Sequence, residues 1–185
     1  MSFLCRTYSG LFSIIQKAAG DWFLGLGARL VFSSVLLGYF LNSALTKVGS
    51  GFPGFLLPND GAYAQILPSI AESAGYDVSQ ISFVPYGLIV MLGTYAEFVL
   101  PVLILVGLFT RISALGMIGF IMVQTFVDIV FHGLDDKTIG LPFDRIQDAV
   151  VADQRLLWLF PLVYLVIRGA GAISLDGLLF RKYEN

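Results

Sequence analysis

The sequence has few charged residues and few of the side chains that build thiol or haem chemistry. Only 13% of its 185 residues are charged, and Cys5 and His132 are its single cysteine and single histidine. One cysteine excludes an intramolecular disulfide, a CxxC redox motif and a thiolate metal cage within one copy of the chain. One histidine excludes a bis-histidine haem, while a His/Met or His/Tyr site stays open. No metal site and no covalently bound cofactor are therefore predicted.

A strong net charge is also lacking. The formal net charge is −2, and no basic patch with interleaved aromatic residues is present, so nucleic acid is not an expected partner. Hydrophobic residues instead make up 57% of the chain, including 16 phenylalanines. This composition is typical of one compact membrane domain, predicted to extend over residues 1–185.

Four long apolar stretches account for this composition. Each approaches or exceeds the roughly 20 residues that a helix needs to cross about 30 Å of hydrocarbon. Because lipid offers an exposed amide no hydrogen-bond partner, such stretches are expected to span the membrane as helices. The predicted fold is therefore an all-α membrane protein, a four-transmembrane-helix bundle with spans at about 22–45, 84–109, 112–131 and 156–175.

The segments around the spans predict shorter helices. Residues 1–20 mix apolar and polar side chains and predict an amphipathic interfacial helix on the cytoplasmic face. A signal peptide is the alternative, although Gln16 and Lys17 interrupt the approach to any Ala-x-Ala site.

In the first outer loop, 46–83, glycine and proline exclude one continuous helix. Asn59 or Asp60 is expected to cap a short helix there, with the apolar stripe Tyr63, Ile66, Leu67, Ile70 and Ala74. In the second outer loop, residues 143–153 predict a helical lead-in to span four.

The distribution of basic residues predicts that both termini are cytoplasmic. The other two loops carry four basic residues but also eight acidic ones, and the positive-inside rule places the more basic side in the cytoplasm. The six basic residues on the predicted cytoplasmic side are Arg6, Lys17, Arg111, Arg168, Arg181 and Lys182.

Two charged residues lie inside the predicted spans. Arg29 is about one-third of the way along span one, and Glu97 is near the middle of span two. With antiparallel helices, their α-carbons are expected to differ in depth by less than about 10 Å, so the two side chains are predicted to pair. The alternative is a purely structural lock between helices, or an Arg29 side chain that extends to the headgroups.

Span three carries a polar face. Gln124, Asp128 and His132 are spaced i, i+4, i+8 and line one side of the helix. A histidine one turn from a carboxylate is a possible proton-transfer pair, and the alternative is that both are ordinary residues at a helix end. With a kink at Pro101 widening the space, the candidate ligand-binding residues are Arg29, Glu97, Gln124, Asp128 and His132. The second-tier polar residues are Asn42, Lys47, Tyr86, Asp153 and Arg155, and no residue is assigned a catalytic role.

Three stretches, read in order, resemble motifs of the DoxX family of small bacterial and archaeal membrane proteins. The first is GARL at 27–30, followed later by Lys47, with Asn42 standing where the family often has glycine. The second is Ala96-Glu97 followed by LVGLFTRISA at 105–114, and the third is RGAGAISLD at 168–176. The positions that match the family pattern are Arg29, Lys47, Glu97, Arg111, Ser174 and Asp176.

The resemblance implies a four-helix, multi-pass protein of a bacterial or archaeal cell (inner) membrane. It also implies a link to redox chemistry, because the family's namesake and its relative DoxD are associated with thiosulfate:quinone oxidoreductases, and other members with oxidative-stress complexes. It does not define catalytic residues.

Two classes of function follow from these observations. The first is a membrane subunit or quinone-binding partner of a quinone-linked oxidoreductase or oxidative-stress complex, with quinone as the ligand and a redox partner protein supplying electrons. The second is a non-enzymatic membrane assembly, stress-response or small-solute transport component. Membrane lipid is an expected partner in both, and homo- or hetero-oligomers are expected. Whether the protein is an enzyme stays open.

Overall fold

The computed structural model describes the backbone of residues 3–20 and 22–180, with the side chains of 5–20 and 22–180. Arg181 and Lys182, and the side chains of Phe3 and Leu4, lie outside this part. Four helical segments are long and apolar enough to cross a membrane, as predicted. In chain order, the helices are α1 (Phe3–Ala19), α2 (Phe23–Leu45), α3 (Asp60–Ile66), α4 (Pro68–Ser73), α5 (Leu88–Val106), α6 (Thr110–Val130), α7 (Asp136–Ile139), α8 (Leu156–Arg168) and α9 (Leu175–Phe180).

The four long helices form a closed ring. Helix α2 packs against α5 and α8, and α6 packs against the same two neighbours. The core between them is apolar and draws on all four, with Phe32, Leu36, Phe40, Ile104, Ala114, Met117, Ile121, Leu162 and Leu165 fully or almost fully buried. The outer surface is also apolar, as a bundle in lipid requires. The predicted four-helix bundle is confirmed.

We call the end of the bundle at which α2 and α6 begin the inner end, and the opposite end the outer end. The N-terminal helix α1 is present as predicted, and its described side chains are mostly exposed. Its position on the cytoplasmic membrane face stays a prediction.

Several helix ends differ from the predicted spans. Helix α5 ends at Val106 rather than near 109, because Gly107 adopts a left-handed conformation with φ of 71°. Helix α6 begins at Thr110 rather than 112. The largest difference is in the fourth span, where α8 ends at Arg168 rather than 175. Gly169 and Gly171 both have φ of 79° and turn the chain before α9.

The outer loops contain more breaks than the sequence pattern indicated. Asn59 caps α3 as expected, with its side-chain oxygen accepting from the Ala62 N–H at 3.0 Å. The single helix predicted through Ala74 is wrong, because Leu67 precedes Pro68 and leaves the helical conformation, so α4 starts anew. The predicted lead-in over 143–153 is also wrong over 143–149, since the short π-helix before α8 begins at Val150. A similar short π-helical segment, Phe83–Gly87, precedes α5.

Candidate functional site

The predicted pair between Arg29 and Glu97 is not formed. The guanidinium of Arg29, which is 5% exposed, donates to backbone carbonyls instead. On α5, Nε donates to Ile104 O at 3.0 Å and Nη2 to Leu105 O at 2.7 Å. After α8, Nη1 donates to Ile173 O at 2.6 Å and Ala170 O at 3.3 Å. Carbonyls at a helix end lack intrahelical partners and carry partial negative charge, so they can hold a buried cation.

The inner end is completed by residues around Arg29. Asp176 caps α6, its two carboxylate oxygens accepting the N–H groups of Phe109 at 2.7 Å and Thr110 at 2.9 Å. Its own N–H donates to Gly107 O at 2.8 Å. A Cβ on Gly107 would lie 2.6 Å from the Ser174 Cβ and 2.8 Å from the Arg29 Cζ. The motif residues Arg29, Ser174 and Asp176 therefore connect α2, α5, α6 and the turn after α8.

Glu97 is paired with Lys47. The Lys47 Nζ lies 2.9 Å from Oε2 and 3.1 Å from Oε1 of Glu97, and both residues are 4% exposed. Lys47 Nζ also donates to the Ser43 Oγ at 2.7 Å, and that hydroxyl lies 3.4 Å from Glu97 Oε1. Lys47 was predicted only as a second-tier polar residue. The sequence signal that could have identified this arrangement is the spacing of Ser43 and Lys47, one helical turn apart.

A second group of polar residues lies near the outer end, and Arg155 is its buried member. Arg155 Nη2 donates to Asp128, and Nη1 donates to Thr125 Oγ1 at 2.7 Å. Gln124 Nε2 donates to the Tyr39 hydroxyl at 2.9 Å. We call this group the outer polar cluster, formed by Tyr39, Gln124, Thr125, Asp128 and Arg155.

The outer polar cluster has unused hydrogen-bonding capacity. Arg155 Nε and Gln124 Oε1 are buried and have no hydrogen-bond partner among the described residues. One is a donor and the other an acceptor, and a buried polar atom without a partner is costly. A carbonyl oxygen of a ligand has the chemistry to accept from Arg155 Nε, and a ligand hydroxyl has the chemistry to donate to Gln124 Oε1.

The remaining candidates are not drawn into one pocket. His132 is exposed, and its Nε2 lies 3.4 Å from the Gln65 carbonyl oxygen. Asp153 Oδ2 accepts the Ala149 N–H at 3.0 Å and supports the turn before α8. Asn42 is exposed on α2, and Tyr86 is half-buried in the turn before α5. Of the five candidate ligand-binding residues, only Gln124 and Asp128 therefore lie in one group, the outer polar cluster, and ligand binding by any of the five stays a prediction.

An apolar groove runs between α2 and α8. Its volume is about 720 Å³, and its lining on α2 extends from Phe23 to Leu36, a length of roughly 20 Å at 1.5 Å per residue. Neither Glu97 nor His132 lines it. Trp158 lines the groove and contacts the Tyr39 ring with centroids 5.6 Å apart, so the groove ends beside the outer polar cluster. Tyr39 and this groove were not identified from the sequence, because a tyrosine in an apolar span carries no pattern of its own.

Comparison with known proteins agrees with this architecture. The DoxX family model matches residues 24–133, which is more than half of the chain. The chain belongs to the DoxX family. The DoxX match contains Arg29, Lys47, Glu97 and the 105–114 motif, whereas the closing motif at 168–176 lies beyond it. No curated protein and no solved structure matches the chain significantly.

Proposed function

We propose that this DoxX-family protein is the quinone-binding membrane partner of a redox complex, either a quinone-linked oxidoreductase or an oxidative-stress complex. The observation that carries the proposal is the apolar groove between α2 and α8, which ends beside the outer polar cluster. An isoprenoid tail needs an apolar channel reached from lipid, and a quinone ring needs a few oriented polar groups at its end.

The cluster suits both redox forms of a quinone headgroup. Arg155 Nε is a donor for a quinone carbonyl, and Gln124 Oε1 is an acceptor for a quinol hydroxyl. Conversion of quinone to quinol takes two electrons and two protons. In the proposal a partner dehydrogenase supplies the electrons, and Asp128, whose side chain is 24% exposed, relays protons from the outer surface.

The test is co-purification of quinone. Protein purified in mild detergent is extracted with solvent, and isoprenoid quinone is measured by mass spectrometry. Gly27 lines the groove and has open space at its Cβ position, so Gly27→Leu is expected to fill the groove and reduce the bound quinone at least about tenfold.

A matched control lies on the same helix. Gly38 also has open space at its Cβ position but does not line the groove, so Gly38→Leu should retain quinone. Equal quinone content in the two variants, or no quinone above that of an unrelated four-helix membrane protein, overturns the proposal.

A second candidate function is a non-enzymatic assembly or small-solute transport component. It is favoured by the hydrogen bonds of the buried cations Arg29, Lys47 and Arg155. Each of these side chains finds acceptors inside the bundle for at least part of its donor groups. Buried ion pairs can determine geometry without taking part in chemistry. Under this alternative, the protein carries no quinone, and Glu97→Gln changes only the yield of an assembled complex.

A further inference from the structure

We propose that the inner end of the bundle binds the headgroup of an anionic phospholipid between Arg111 and Arg168. This site is separate from the proposed quinone headgroup site, which lies at the outer end. A cavity of about 1100 Å³ opens here between the end of α1, the start of α6 and the turn after α8. Both arginines line it, Arg111 from the first turn of α6 and Arg168 from the last residue of α8.

These two arginines differ from the buried basic residues of the bundle. Arg29, Lys47 and Arg155 are buried and bonded, whereas Arg111 and Arg168 are exposed and have no hydrogen bond or acidic partner within residues 3–20 and 22–180. The Arg111 side chain lies beside the backbone that follows Arg168, because a Cβ on Gly169 would lie 3.4 Å from Arg111 Nε. Two arginines that line one cavity suit a phosphate, which accepts several N–H donors at once.

Among the described residues, Asp176 is the one carboxylate that lines the cavity. Asp176 already accepts the N–H groups of Phe109 and Thr110, at 2.7 and 2.9 Å, as the cap of α6. Its carboxylate is engaged at the start of α6, and with two arginines against one carboxylate the described part of the lining carries a net positive charge. The cavity therefore favours an anion.

The apolar rim identifies the anion as a lipid. Phe109, Ile112 and Phe180 line the cavity and are 53%, 72% and 47% exposed. A free phosphate makes no apolar contact with such a rim, whereas the acyl chains of a phospholipid would cover it. The cavity also lies where four spans begin or end, which is the depth of the headgroups, and basic pockets between helices at this depth bind anionic lipids.

The probe is dioleoyl-phosphatidylglycerol, with dioleoyl-phosphatidylcholine as the neutral comparison, measured by native mass spectrometry of the delipidated full-length protein. Wild-type protein should retain phosphatidylglycerol in preference to phosphatidylcholine. The double substitution Arg111→Gln with Arg168→Gln should reduce phosphatidylglycerol binding about tenfold or more. The double substitution to lysine should keep part of the binding, because the charge is retained without the planar fork.

The matched control is Arg145→Gln, which removes an exposed arginine from the second outer loop and should leave lipid binding unchanged. Equal binding of the two lipids by wild-type protein, or equal losses in the control and the double glutamine variant, overturns the proposal. Displacement of phosphatidylglycerol by equimolar inorganic phosphate would also overturn it, since the site would then recognise phosphate alone. An unchanged melting temperature in all variants shows that a loss of binding is not a loss of folding.

Discussion

Lys47 and Glu97 form a buried ion pair in which Nζ lies 2.9 Å from Oε2 and each side chain is 5% exposed. The pair joins the end of α2 to the middle of α5, and Ser43 completes its hydrogen bonding. Removing one member would leave the other charge buried without a counter-ion, which is costlier than removing both.

The first prediction is therefore strong coupling between Lys47 and Glu97. Glu97→Gln and Lys47→Met should each destabilise the bundle by about 3–5 kcal/mol, and the double variant should cost clearly less than the sum. Unfolding in detergent, followed by circular dichroism, measures each free energy. Arg29→Gln combined with Glu97→Gln is the control and should be additive, because these residues share no hydrogen bond. Additive losses for Lys47 and Glu97 would show that the pair does not stabilise the fold.

The second prediction concerns the geometry of Arg29. Its planar guanidinium reaches carbonyls on α5 and in the turn after α8 at once, whereas a lysine has a single point of charge. Arg29→Gln should destabilise the protein by about 2–5 kcal/mol, and Arg29→Lys should recover only part of this loss. Thermal unfolding of both variants provides the measurement. Full recovery by lysine would mean that charge alone is required.

The third prediction concerns the close packing at Gly107. An alanine there would bring a Cβ within 2.6 Å of the Ser174 Cβ, at a φ of 71° that alanine disfavours. Gly107→Ala should therefore lower stability by at least about 1–3 kcal/mol. Gly119, inside α6, has open space at its Cβ position, so Gly119→Ala should be neutral or slightly stabilising. Similar effects of the two substitutions on the melting temperature would contradict this assignment.

The fourth prediction is the orientation in the membrane. Single cysteines are introduced on a Cys5→Ser background, and intact cells are treated with a membrane-impermeant thiol reagent. Asp60→Cys and Asp136→Cys, in the two outer loops, should react from outside the cell. Tyr183→Cys, in the C-terminal tail, should react only after the membrane is opened, because the positive-inside rule places this end in the cytoplasm. The reverse pattern would overturn the topology.

Much of the architecture followed from local sequence. Long apolar stretches cannot leave their amides unpaired in lipid, so the number and class of the spans were determined without tertiary information. The cap at Asn59 was also local, because its side chain bonds to an N–H three residues away. The end of α8 was less predictable, because apolar residues continue past Arg168 while the backbone turns at Gly169 and Gly171.

The partners of the buried charges were decided only by the tertiary structure. Sequence spacing placed Arg29 and Glu97 at similar depths, but depth does not determine the direction in which each helix turns its side chains. Arg29 faces backbone carbonyls at the end of α5, and the carboxylate of Glu97 faces Lys47. The outer polar cluster likewise combines residues from α2, α6 and the turn before α8, which are far apart in sequence. Span formation depends on interactions within one segment and with lipid, whereas pairing of charges depends on helix rotation and packing, which arise only when the four helices meet.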